Sequence, residues 1–253
     1  MGTERHNALA LKRTPVMSAG GSGLARDWEP GYLLVRATLV PALAAWFRWN
    51  IEGTENIPRR GPAIVACNHI SYLDPLAVGC AIIGAGRHPR FLAKSELFAD
   101  RRIRWALNAT RQIEVKRGTV HATSALDRAA DALERGEVVV IFPEGTVTTD
   151  PDLAPMPAKS GAVRLALRSG APVIPAAVWG TANVWPKGDY ARRWRPGQNL
   201  LVRFGAAIEV AGDPNSRADS VEAGERIMDA IAVLVSSLKP ILPDDRRPLK
   251  RSA

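Results

Sequence analysis

Cysteine is nearly absent: the 253-residue chain carries only Cys67 and Cys80, each set inside an apolar run. That excludes a disulfide-stapled fold, and the spacing matches no zinc pattern. Buried, reduced thiols in a cytosolic compartment are the expected state. Long hydrophobic runs are missing too: no stretch of about 18 apolar residues exists, which argues against a regular spanning helix. Residues 1–6 have no apolar core of the kind a secretory signal needs, and His6 stands where myristoylation wants Ser or Thr, so neither is expected. Aromatics are sparse at 6%, and acids are outnumbered, 25 Asp and Glu against 34 Lys and Arg, for a net charge of +9. A surface of that sign suits an anionic partner, either nucleic acid or an acidic lipid leaflet. No nucleic-acid module is recognisable and the basic residues are spread along the chain, so nucleic acid is not an expected partner.

What is present is an ordinary globular balance, 46% hydrophobic and 23% charged, long enough for one well-buried domain. Residues 1–27 are polar, with a Gly/Ser-rich segment at 18–23, and read as disordered. Residues 28–49 read as a helical stretch kinked near Pro41, with Trp28, Tyr32, Trp46 and Trp49 at its ends. Trp and Tyr favour the membrane–water boundary, so an interfacial anchor is expected, against the alternative of a helix packed on the core. From 50 to 239 strands and helices alternate. Strands are predicted at 62–67, 89–93, 112–116, 137–142, 172–178 and 199–204, and helices at 74–84, 95–108, 119–135, 158–169 and 217–238. Such alternation argues an α/β fold, a mainly parallel mixed sheet covered by helices. Residues 240–253 read as a disordered basic tail.

Two polar turns carry the chemistry. In Asn68-His69-Ile70-Ser71-Tyr72-Leu73-Asp74-Pro75 an apolar run precedes the turn and another follows it, the pattern of strand, tight turn and helix start. Asp74 suits a helix start and Pro75 a first helical turn. On one continuous helix His69 and Asp74 would lie roughly 140° apart; across a strand-to-helix turn they meet. An Asp that holds one ring nitrogen leaves the other free to take a proton from a hydroxyl. The second turn, Phe142-Pro143-Glu144-Gly145-Thr146, also ends an apolar strand. In open α/β sheets ligands collect outside the carboxyl ends of strands, so the two turns are expected to face one cleft. Cys67 and Ser71 are the competing nucleophiles, but Cys67 lies in an apolar strand and Ser71 lacks the flanking glycines of a nucleophile elbow.

Asn68-His69…Asp74 and Phe142-Pro143-Glu144-Gly145-Thr146, in this order, resemble the two signature motifs of the glycerolipid acyltransferases, whose type members are the 1-acylglycerol-3-phosphate acyltransferases. The resemblance covers roughly residues 50–210, and the stretch from Glu144 to Ala162 is similar to an actinobacterial variant. It implies a glycerol-3-phosphate acyltransferase-like fold. It also implies transfer of a fatty acyl group from acyl-CoA or acyl carrier protein to a lysophospholipid hydroxyl, giving phosphatidic acid. His69 would be the base and Asp74 its orienting partner, the division of labour of a Ser-His-Asp triad with the substrate hydroxyl in the serine's place. The donor is already activated, so no cofactor or metal is expected. Glu144 and Gly145 would bind the acceptor, and Thr146 adds a hydroxyl. Where the family motif continues with a phosphate-binding Arg, this chain has Val147, which puts the acceptor in question. Arg117, Lys116, Lys94 and Lys159 are the candidate replacements, Arg117 standing where another family motif has its Arg. The site is expected at the cytoplasmic face of the cell membrane, bound peripherally or monotopically to an anionic leaflet. The alternatives are another lysophospholipid or glycolipid acceptor, or a catalytically silent lipid-binding protein.

Overall fold

Three strands are buried at every position: β2 (Ala63–Cys67), β5 (Val138–Ile141) and β6 (Val173–Trp179). Continuous apolar runs of this kind belong in a parallel sheet covered on both faces. In the computed structural model, which describes residues 29–115, 122–188, 194–242 and Asp244, they form the centre of a seven-stranded sheet. β1 (Arg48–Glu52), β3 (Pro89–Lys94), β4 (Ile113–Val115) and β7 (Asn199–Phe204) complete it in the order β1-β7-β6-β2-β5-β3-β4. Every neighbouring pair is parallel except β6 with β7. The mainly parallel mixed sheet expected from the alternation is therefore present. Strand order reverses about β2, so the carboxyl ends of β5, β2 and β6 lie side by side at a topological switch point.

All six predicted strands form; the seventh, β1, straddles the end of the expected anchor. Residues 30–46 make two short helices, α1 (Pro30–Ala37) and α2 (Leu39–Trp46), and the break is at Thr38, not Pro41. Pro41 sits in the first turn of α2, where its missing N–H costs no helical bond, whereas in a continuous helix its ring would strike the carbonyl of Ala37. Trp49 then falls on β1, buried, with its indole N–H donating to Leu43 O at 3.0 Å. Tyr32 is buried too, its hydroxyl bonded to Pro89 O. These two rings pack on the core and do not end a membrane anchor, and a domain boundary at residue 50 would cut through β1.

The remaining helices are α3 (Asp74–Gly84), α4 (Ser95–Ala99), α5 (Arg101–Ala109), α6 (Ala122–Glu134), α7 (Ser160–Ser169), α8 (Thr181–Val184) and α9 (Arg217–Leu238). The single helix expected at 95–108 is divided because Asp100 caps a new start, its Oδ1 accepting from Arg102 N at 2.9 Å. Pro175 lies within β6, between neighbours β2 and β7. It stands where the β6–β7 ladder is interrupted, and its carbonyl accepts from Gly205 N at 2.8 Å. Among the described residues no helix is long and apolar enough to cross a membrane. The expected disordered start at 1–27, most of the tail at 240–253, and both Lys116 and Arg117 lie outside the described residues.

Candidate active site

The turn after β2 is held by one carboxylate. Asp74 is fully buried as the first residue of α3, and its side chain folds back over the turn instead of capping the helix. Oδ2 accepts from Ile70 N at 2.6 Å and Ser71 N at 2.8 Å, and lies 2.9 Å from His69 Nδ1. Oδ1 accepts from Thr181 Oγ1 at 2.5 Å. An oxygen already taking two main-chain N–H groups acts as an acceptor toward the ring, so the imidazole proton resides on Nδ1 and Nε2 keeps its lone pair. The ring stacks on Phe142, centroids 4.2 Å apart, and the side chain retains 15% exposure. The His69 ring is thus held by Asp74 and Phe142 and still reachable.

Glu144 is the second clamp. It is fully buried, and both of its oxygens are taken by main chain: Oε1 accepts from His69 N at 2.8 Å and Oε2 from Met156 N at 3.1 Å. Burial raises its pKa, and the bonds from the His69 and Met156 amides pull it back in part. The sequence reading set Glu144 among the acceptor contacts. The structure places its carboxylate against the His69 main chain, tying the turn after β2 to the loop after β5. A second tie runs from Thr148 N to His69 O at 2.7 Å. Gly145 adopts φ +70°, and a Cβ there would come within 3.1 Å of the Lys159 stem, so glycine is needed for both the turn and the close approach.

Of the candidate cations within the described residues, Lys94 is exposed at the end of β3 and Lys159 is exposed at the start of α7. Val147 turns its side chain into the core, and its carbonyl accepts from Lys187 Nζ at 2.8 Å. Neither competing nucleophile is available. Burial pushes the Cys67 thiol well above its ordinary range, and the Ser71 hydroxyl lies against Trp185 O at 2.6 Å and Thr181 O at 3.1 Å.

Sequence reasoning missed Thr181 and Lys187, because only the strand order brings the end of β6 beside β2. It quoted Asn68 without a role. The Asn68 amide bonds both main-chain groups of Val178, at 3.1 and 2.8 Å, continuing the β2–β6 ladder past the last strand residue.

The acyltransferase family model matches residues 48–179, from β1 through β6, including the whole His69–Asp74 turn and Glu144. The chain belongs to the acyltransferase family. Among its family relatives, a chloroplastic 1-acyl-sn-glycerol-3-phosphate acyltransferase of Arabidopsis thaliana is 32% identical over 146 residues, 57% of this chain and 39% of that protein. The 1-acyl-sn-glycerol-3-phosphate acyltransferase of Bacillus subtilis is 33% identical over 133 residues, 53% of this chain and 63% of its own length. The matches thus span less than two thirds of these acyltransferases. A crystal structure of the 1-acyl-sn-glycerophosphate acyltransferase of Thermotoga maritima shares the fold, with a TM-score of 0.65 at 24% identity, covering 87% of this chain and 86% of the other.

Proposed function

We propose that this chain is an O-acyltransferase that moves a fatty acyl group from a thioester to the hydroxyl of 1-acyl-sn-glycerol 3-phosphate, giving phosphatidic acid. The observation carrying the reading is the His69–Asp74 pair, 2.9 Å apart across the turn from β2 into α3, with Asp74 saturated by donors so that only Nε2 remains to accept a proton. His69 takes the proton from the acceptor hydroxyl as its oxygen attacks the thioester carbonyl, and the thiolate leaves. The thioester is already activated, so the reaction requires neither a covalent acyl-enzyme nor a metal or prosthetic group. Acyl-CoA and acyl carrier protein both supply such a donor. The named relatives support the choice of acceptor, as do the cations Lys94, Lys159 and Lys187 at the same end of the sheet. A lipid acceptor in turn places the protein at a membrane surface, on the cytoplasmic face where those donors are made.

Val147 favours a second reading, since its buried side chain offers no guanidinium to a phosphate. The acceptor would then be another lysophospholipid or a glycolipid. A panel of such acceptors, each with palmitoyl-CoA and with palmitoyl carrier protein, separates the two. Phosphatidic acid as the main labelled product is the expected result. Preferred acylation of another lysophospholipid or of a glycolipid would move the enzyme to the second reading, and no product from either donor would reject acyl transfer.

A further inference from the structure

A row of aromatic rings runs outward from the catalytic turn. Tyr72, between His69 and Asp74, lies 5.8 Å from Trp185; Trp185 lies 6.1 Å from Trp194; and Trp194 lies 5.8 Å from Phe47, which is buried and roots the row. Trp46 precedes Phe47 at the end of α2. Tyr72 is 49% exposed, Trp46 40% and Trp194 39%, a large amount of ring to leave in water. The position of the row follows from strand direction. β7 runs antiparallel to β6, with Trp179 opposite Leu201, and β1 starts at Arg48 opposite Asn199. The starts of β1 and β7 therefore lie at the end of the sheet where β2, β5 and β6 finish and where His69 sits. The row is tied to the catalytic turn by the Ser71 hydroxyl on Trp185 O and to the start of β1 by Gly197 N donating to Trp46 O at 2.7 Å. Exposed Arg48 and Arg195 follow Phe47 and Trp194 in the chain, and half-buried Lys187 comes two residues after Trp185.

We infer that this aromatic row docks on an anionic lipid bilayer, setting the mouth of the site against the leaflet. Trp and Tyr rings are amphipathic and settle at headgroup depth, while arginine and lysine beside them meet acidic phosphates. The combination of half-exposed rings with neighbouring cations fits a charged leaflet better than a second protein surface. The inference takes its lipid acceptor from the function proposed above, and it moves the membrane contact away from Tyr32 and Trp49 to side chains beside the base.

The test is partitioning of the full chain onto sucrose-loaded vesicles of phosphatidylglycerol and phosphatidylcholine, measured without acyl donor, so that turnover plays no part. The double variant Trp46→Glu/Trp194→Glu should bind about tenfold more weakly or worse, with its thermal melt unchanged. Trp105→Glu is the control: Trp105 on α5 is 58% exposed and far from the row in sequence, and its loss should leave partitioning unaltered. If the double variant does not fold, Trp194→Phe serves instead: it should reduce the quenching of tryptophan fluorescence by brominated lipid, and Trp105→Phe should not. Three outcomes would overturn the inference: no vesicle binding by the parent chain, unchanged binding by the double variant, or loss on changing Trp105 alone. Self-association abolished by the double variant with vesicle binding intact would mean that the row meets a second copy of the chain.

Discussion

At the scale of single residues, the site depends on two buried carboxylates with different duties. Asp74 acts on the imidazole ring, and Glu144 acts on the peptide that carries it. Glu144→Ala leaves the His69 and Met156 N–H groups without their acceptor, which should cost about 1–3 kcal/mol of stability. It should also lower turnover by roughly a hundredfold, because His69, the proposed base, loses its fixed position. Glu144→Gln keeps an acceptor for one of the two amides and should fall between parent and Ala. If Glu144 instead touches the acceptor, the Gln variant will raise KM for the acceptor and leave the melting temperature unchanged. The pairing of His69 with Asp74 was legible in the sequence because a strand-to-helix turn brings positions five apart together. The duty of Glu144 was not, since a carboxylate at a strand end reads the same whether it faces solvent or the underside of the neighbouring turn.

At the scale of elements, the first helices are joined to the sheet by a buried cation. Arg90 on β3 reaches Glu137 at 2.7 Å, Glu29 at 2.6 Å and Thr110 O at 2.8 Å. Burial alone would lower its pKa, but the hydrogen bonds to Glu137 and Glu29 more than offset this and raise it. Glu137 is the mirror case: burial pushes it up, while its bond to Arg90, the charge of Arg90 and contact with Arg135 bring it below its ordinary value. A carboxylate whose folded pKa is depressed contributes stability that is complete above its unfolded value and lost as pH falls through the folded one. The melting temperature should therefore fall on acidification more steeply in the parent than in Glu137→Gln, with the variant the less stable at neutral pH. Parallel curves would mean that the pair contributes nothing. Alternating strands and helices were readable because buried parallel strands are written as unbroken apolar runs. β1 was not, because Arg48-Trp49-Asn50-Ile51-Glu52 is an edge strand that follows an apolar helix without a turn signal, and its partner β7 lies about 150 residues away.

At the scale of the whole molecule, seven strands place three turns at one switch point: the His69–Asp74 turn after β2, the Glu144 loop after β5 and Thr181 after β6. The two motifs gave the first and second of these turns, while the third required the strand order. The same order sets the aromatic row at the end of the sheet where His69 sits. The central claim is that His69, oriented by Asp74, deprotonates the acceptor hydroxyl. It is tested most directly by thiol release from palmitoyl-CoA with 1-acyl-sn-glycerol 3-phosphate present, comparing the parent chain with His69→Ala at matched thermal stability. Acceptor-dependent release that falls by roughly a thousandfold in the variant is the predicted result. Release that persists within tenfold of the parent would contradict it.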